Sequence, residues 1–527
     1  MTPTEVHLAW KARLEIAVVD VREESVFALG HPLFASCLPL GRIELGLHDL
    51  IPRRDSLVVV YDDGDGLAAA TAIERLREWG YTNVRELDGG MAGWVATGLE
   101  LFEDVNSPSK AFGELVEHFA GTPYIEAPDL QALIKSRADI AILDARRFDE
   151  YATMSIPGSI SVPGAELVLR AKLIAPDPAT TIVVNCAGRT RSIIGAQSLI
   201  NAGVPNPIKA LRNGTIGWTL EGQELERGQT RSYESLGQSL DPGTVAQSRR
   251  FAYRAGVRRI GYPDLEQIAA VRTLYRFDVR SQAEFVTRHP AGFQHVAGGQ
   301  LVQETDMYAP VRGAAIAVFD DLETRAWMTA GWLAQMGWDA LVVDPESVTD
   351  WGDGDFRPAD AAAPACDEIG VPQLERLLNG NSLLLDFATS SQFRKGHIPG
   401  ATFIMRSRIA LDLPGHLALM PCDSPVFITS PDGRLAKIAA AEVYQATGRQ
   451  VFALHGGTSA WQASGRSLES GDEPALSPPH DVYRRPYEGL DNPRQKMQAY
   501  LDWEYGLVAQ LERDGSHGFF VIGRPQA

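Results

Sequence analysis

Ile142-Leu143-Asp144-Ala145-Arg146 is a short apolar run closed by a carboxylate, with an arginine two positions further on. Such a run reads as a buried strand and its exit loop. The pattern recurs as Val18-Val19-Asp20-Val21-Arg22 and Arg276-Phe277-Asp278-Val279-Arg280, and more weakly as Leu384-Leu385-Asp386-Phe387-Ala388. A second apolar run follows each copy and ends at Asp62, Cys186, Asp320 or Ser430. The two landmarks lie 42 positions apart in three copies (Asp20 to Asp62, Asp144 to Cys186, Asp278 to Asp320) and 44 in the fourth (Asp386 to Ser430). A helical pattern comes next, then a short strand and a tryptophan. That tryptophan is 32 positions on in two copies (Asp62 to Trp94, Cys186 to Trp218) and 31 in the others (Asp320 to Trp351, Ser430 to Trp461). Repetition at near-constant spacing marks a tandem array.

Strands alternating with helices predict an α/β fold with a parallel sheet covered on both faces. Four units are expected, at 1–103, 124–228, 258–357 and 367–470, followed by a helical tail over 471–527. The connecting segment 104–123 holds an amphipathic stretch, SKAFGELVEHFAG. In the tail, NPRQKMQAYLDWEYGLVAQLER predicts a helix with Asn492 as its cap and Pro493 in its first position. Its aromatic stripe (Tyr500, Trp503, Tyr505) is expected to pack against the units.

The chain has 527 residues, with 49 Lys plus Arg against 67 Asp plus Glu, a net charge of −18. This length suits three or four domains. The acidic balance argues against nucleic acid and anionic membranes as partners. No signal peptide and no long apolar run are evident, so a cytoplasmic location is expected. Cys37, Cys186, Cys366 and Cys422 are scattered, with no CxxC pattern. A disulfide scaffold or structural zinc site is not expected, and neither a metal nor an organic cofactor is indicated.

The loop after the second strand differs between copies. It reads Cys186-Ala187-Gly188-Arg189-Thr190-Arg191-Ser192 in the second unit, and starts with Asp62, Asp320 and Ser430 in the others. The end of a parallel strand facing a helix N-terminus is where open α/β sheets bind ligands. Successive amides there form an anion nest, and the helix dipole adds positive potential. A cysteine at this place beside Arg189 and Arg191 is expected to have a depressed pKa and to react as the thiolate. The two arginines should draw in a sulfur or phosphorus oxyanion. The carboxylates of the first and third copies should repel one. The bland alternative for Cys186 is a buried core cysteine. Cys37, Cys366 and Cys422 have no comparable setting, and His31, His295 and His397 read as motif or surface residues.

Four features together resemble the rhodanese family of sulfurtransferases. They are Asp144-x-Arg146, Ile156-Pro157-Gly158-Ser159, the Cys186–Ser192 loop and the Asn213-Gly214…Trp218 turn. Within the family the chain resembles the bacterial tandem proteins with four rhodanese-like domains, the thiosulfate sulfurtransferases. The resemblance implies four tandem units, each a parallel five-stranded sheet flanked by helices. It implies that Cys186 takes a sulfane sulfur from a small anionic donor, forms a persulfide, and passes the sulfur to cyanide or a thiol, including a protein cysteine. Ala187, Gly188, Arg189, Thr190, Arg191 and Ser192 would bind the substrate, and Asp144 and Arg146 would hold the loop and its neighbours in place. The units carrying Asp62, Asp320 and Ser430 would be inactive. Where the family commonly has His before Ile-Pro-Gly, this unit has Ser155, whereas the fourth keeps His397.

Two rivals remain. A Cys-dependent phosphatase or arsenate reductase needs Cys-x5-Arg, but Arg191 gives Cys-x4-Arg, a shorter loop better suited to a persulfide sulfur. Alternatively, the chain is a sulfur-relay or redox-sensing scaffold without turnover.

Overall fold

The computed structural model describes residues 1–235, 241–355, 365–378, 382–417, 424–489 and 491–523, so Cys422 falls outside it. The second unit shows the common plan. Its sheet runs Tyr124–Ile125, Ile208–Leu211, Thr181–Asn185, Ile140–Asp144, Ile160–Ser161, with every pairing parallel. The central strands are wholly buried runs (Ile182, Val183 and Val184 are all at 0% exposure) because helices cover both faces. The third and fourth units repeat this order. Their central strands are Ala315–Phe319 and Val426–Thr429.

The first unit departs from the plan. Its sheet has four parallel strands, Ala35–Cys37, Ile16–Asp20, Leu57–Tyr61 and Val84–Glu86. The fifth is lent by the third unit, whose Val311–Arg312 pairs antiparallel with Ile16 and Ala17.

The strand-end Asp–Arg motif is a local lock. Arg146 donates to both Asp144 oxygens (Nε to Oδ1 2.9 Å, Nη2 to Oδ2 2.7 Å) and to the Met154 carbonyl at 2.6 Å. Arg22 and Arg280 repeat the fork, on Asp20 with the Gly30 carbonyl and on Asp278 with the Arg288 carbonyl. The fourth unit has Ala388 in that place. Asp386 is therefore left with one backbone donor, Ala388 N–H at 2.8 Å.

Three histidines at equivalent places each stack on a phenylalanine four positions earlier. His31 and His397 stack on Phe27 and Phe393 at 3.9 and 3.8 Å. In the third unit this place is held by His289, stacked on Phe285 at 3.8 Å, and not by His295. Trp94, Trp218 and Trp461 each donate to a carbonyl six residues on. Trp351 lies instead in a two-stranded ribbon with His289–Pro290, under the Arg288 guanidinium at 3.8 Å.

Buried ion clusters join the units. Arg325 of the third reaches Glu166 of the second at 2.7 Å, and Arg406 of the fourth reaches Glu44 of the first at 2.6 Å. Two further helices embrace the second unit. The segment 104–123 forms the helix Ser107–Ala120, with Ser107 to Val116 buried without a break. It is thus an internal strut rather than a half-exposed connector.

The tail forms the helix Arg494–Asp514, which buries Met497, Tyr500, Leu501, Glu504, Leu507 and Leu511, one face at helical spacing. Its N-cap is Pro493. Asn492 does not cap it but turns back to donate to the Glu488 carbonyl at 2.7 Å. The tail helix packs on the strut. Lys110 fastens the contact. Its ammonium is 2.7 Å from Asp104 and lies over the rings of Tyr487, Tyr500 and Trp503 at 5.9, 5.2 and 5.5 Å.

Candidate active site

Cys186 directly follows the central strand of the second sheet, Thr181–Asn185, and the helix Thr190–Asn201 starts four residues later. The strand before it is tied down by Asn185, whose amide donates to Asp144 at 2.9 Å. From behind, the first turn of the helix Gly214–Leu220 holds the loop backbone. Thr215 N–H donates to the Cys186 carbonyl and Ile216 N–H to the Ala187 carbonyl, each at 3.0 Å. Thr190 lies against Gly113 of the strut, so close that a Cβ there would stand 3.1 Å from the Thr190 Cα. The thiol donates to the Ser192 hydroxyl at 3.5 Å, and that hydroxyl donates to the Arg189 carbonyl at 2.7 Å.

The other copies reveal what this loop is built to hold. Asp62 accepts from its own loop: Gly64 and Gly66 N–H reach Oδ1 at 2.9 and 3.2 Å, and Ala69 N–H reaches Oδ2 at 3.0 Å. Burial opposes its charge, but these amides hold the carboxyl below its usual range. Asp320 accepts from Leu322 and Arg325 N–H at 3.2 and 2.8 Å, and from the Arg325 side chain at 3.0 Å. Ser430 accepts from Ala436 N–H at 3.2 Å. The loop is therefore an amide cradle for negative charge, plugged by a carboxylate in two copies. In the second unit the side chain at that position is a thiol.

Two expectations about the charges are overturned. Cys186 is only 2% exposed, and burial pushes its thiol above the usual range. Arg191 and the hydroxyl and amide of Ser192 oppose this, while Glu504 adds to it. Nor do the arginines leave a free positive patch. Arg189 forks onto Glu114 at 2.6 and 2.8 Å and meets Glu117, with its guanidinium 4.1 Å above the Tyr505 ring. Arg191 forks onto Glu150 at 2.7 and 2.8 Å. Burial would raise the Glu150 carboxyl, but Arg191, Arg146 and Arg147 hold it at about 2.

Glu114, Glu117, Glu150 and Glu504 were not among the residues picked from sequence. They come from the strut, a neighbouring helix and the tail, and no local pattern announces them. Tyr500 and Glu504 lie directly on Gly188. A Cβ at Gly188 would stand 3.2 Å from Tyr500 Cε1 and 3.1 Å from Glu504 Oε2. Beside the loop, a cavity of about 380 Å³ is lined by Met154, Thr215, Ile216, Tyr487 and Met497. The remaining described cysteines, Cys37 and Cys366, are free thiols. Cys37 donates weakly to the Arg22 carbonyl at 3.7 Å, away from the Cys186 loop.

The chain belongs to the rhodanese-like domain family, whose model matches residues 3–97, 126–221 and 371–464. The third unit lies outside those stretches and shows its kinship through the same parallel strand order. A crystal structure of thiosulfate sulfurtransferase from Pseudomonas aeruginosa is similar over 99% of both chains, at 51% identity and a TM-score of 0.94. The 3-mercaptopyruvate sulfurtransferase of Escherichia coli K12 is 28% identical over 187 residues, which are 31% of this chain and 65% of that one. A probable 3-mercaptopyruvate sulfurtransferase of P. aeruginosa is 38% identical over 122 residues, 22% of this chain and 40% of that one. This chain thus spans less than two thirds of the curated relatives it matches.

Proposed function

We propose that this protein is a sulfurtransferase in which Cys186 carries sulfane sulfur as a persulfide. The observation that carries the proposal is the amide cradle. Carboxylates plug it in the first and third units, whereas in the second the same strand-end position carries a thiol, whose persulfide would place negative charge there. The Cys186 thiolate attacks the sulfane sulfur of thiosulfate or a related donor. With thiosulfate the donor's S–S bond breaks, and sulfite leaves with the electron pair. A thiolate or cyanide then attacks the outer sulfur, and Cys186 departs as the thiolate. Asp144, Asn185 and Arg146 fix the strand end from which the sulfur projects. Ala187 to Ser192 supply the cradle, with Arg191 the cation that favours negative charge on the sulfur.

The similarity to the P. aeruginosa thiosulfate sulfurtransferase supports thiosulfate as a donor to test first. A phosphatase reading fares worse, because both loop arginines are already forked onto carboxylates.

The test is thiosulfate-to-cyanide transfer for wild type and Cys186→Ser, with intact mass recorded after thiosulfate alone. A one-sulfur gain and turnover in the wild type, both lost in the variant, are expected. Turnover that survives in Cys186→Ser would refute the proposal.

A further inference from the structure

The tail sets an unusual group over the cradle. Glu504 is 1% exposed. Its Oε1 accepts the Tyr500 hydroxyl at 2.9 Å, while Oε2 has no hydrogen-bond partner among the described residues and lies on the Gly188 side. A buried carboxyl oxygen without a partner is costly to keep, so its retention beside a reactive loop calls for a use. The charged and titratable groups facing it are Glu114 and Lys110 from the strut, Arg189 and Cys186 from the loop, and Tyr500 from its own helix. Met497, Tyr500 and Glu504 share one helix face, and Met497 also lines the cavity beside the loop.

We propose that Glu504 is the proton acceptor for a thiol substrate in the second half-reaction, a role that rests on the persulfide chemistry above. The incoming thiol gives its proton to Oε2 of the Glu504 carboxylate. The resulting thiolate attacks the outer sulfur of the Cys186 persulfide, the S–S bond breaks, and Cys186 leaves with the electron pair into the cradle. The acceptor departs as a persulfide anion, and Glu504 later releases its proton to water. No oxidant or reductant is consumed.

Burial and the neighbouring Glu114 push the Glu504 carboxyl up to about 8, against the opposing pull of Lys110, Arg189 and Tyr500. A carboxyl raised toward a thiol's own pKa of about 8.5 is a better proton acceptor for that thiol than an ordinary carboxylate.

The experiment uses full-length protein loaded with thiosulfate. Loading is read by intact mass, and discharge to glutathione or to cyanide anion is followed by rapid mixing across pH 6–9. Glu504→Gln is expected to load fully, to discharge to glutathione about 100-fold more slowly and to lose the limb near pH 8. Its discharge to cyanide, counted per cyanide anion, which has no proton to give up, should change far less than its discharge to glutathione. Tyr500→Phe removes the hydroxyl that favours the charged carboxyl and should move the limb to higher pH. Glutathione discharge with wild-type rate and pH profile in Glu504→Gln would overturn the proposal, as would equal losses with both acceptors. A wild type that never gains sulfur would instead sink the persulfide reading itself.

Discussion

Replacing Gly214 by alanine drives a methyl group into the back of the Cys186 loop. Its Cβ would stand 2.3 Å from the Cys186 carbonyl oxygen, 2.7 Å from that of Gly188 and 2.8 Å from the Ala187 carbonyl carbon. All three are backbone atoms, so none can swing aside. Gly214 also has φ of +52°, where an L-residue pays about 1–2 kcal/mol. Overpacking adds about 1–3 kcal/mol, for a total of about 2–5 kcal/mol concentrated on one loop. Gly158 is the control, with φ of +77° and nothing within 4 Å of its added Cβ. Gly158→Ala should show the conformational strain alone.

The assay is hydrogen exchange at the Thr215 and Ile216 amides, which hold the loop carbonyls, together with sulfur loading by mass. Gly214→Ala should lose about 10- to 100-fold in protection beyond Gly158→Ala and fail to load. In the fourth unit Gly457→Ala would clash alike, its Cβ 2.0 Å from the Ser430 carbonyl oxygen, and should destabilise that unit while sparing transfer. If Gly214→Ala behaves like Gly158→Ala and loads normally, the cradle is not held by this backbone contact.

Glu150→Gln removes the counter-charge of Arg191 and should lower the Cys186 pKa, seen as faster iodoacetamide alkylation at pH 7; an unchanged rate would show that Arg191 does not act on the sulfur. Asp386, buried without an arginine, is pushed up to about 7. Because its folded pKa is raised, its stabilising contribution is full below about pH 4 and is lost as pH rises through 7, by up to about 4 kcal/mol. Asp386→Asn should flatten the pH dependence of thermal unfolding over that window, and an identical slope would contradict the assignment.

Much of the fold was legible because its signals are local. An apolar run, an Asp and an Arg two residues on form a self-contained lock, so Arg22, Arg146 and Arg280 mark three strand ends directly. Cys186 stood out for the same reason, as a strand-end residue before a glycine and two arginines. The arginines' charge was misjudged because their partners are remote. Glu114 lies 75 positions before Arg189, and Glu150 lies 41 before Arg191. Burial of Cys186 under the tail depends on residues more than 300 positions away, and no local pattern encodes that contact. Trp351 misled because near-constant spacing located it correctly, while the helix that carries Trp218 has no counterpart around it.

The strand lent across units has a consequence for how the chain is made. Ile16 and Ala17 find their antiparallel partners only at Arg312 and Val311. At about 5–20 residues per second, the ribosome needs roughly 15–60 s to supply them. Throughout that interval the nascent first sheet carries an open edge, the kind of surface that recruits stray strands. The third unit thus acts as a late-arriving guard for the first, and a chain stalled before residue 311 would leave the ribosome with that edge unsealed.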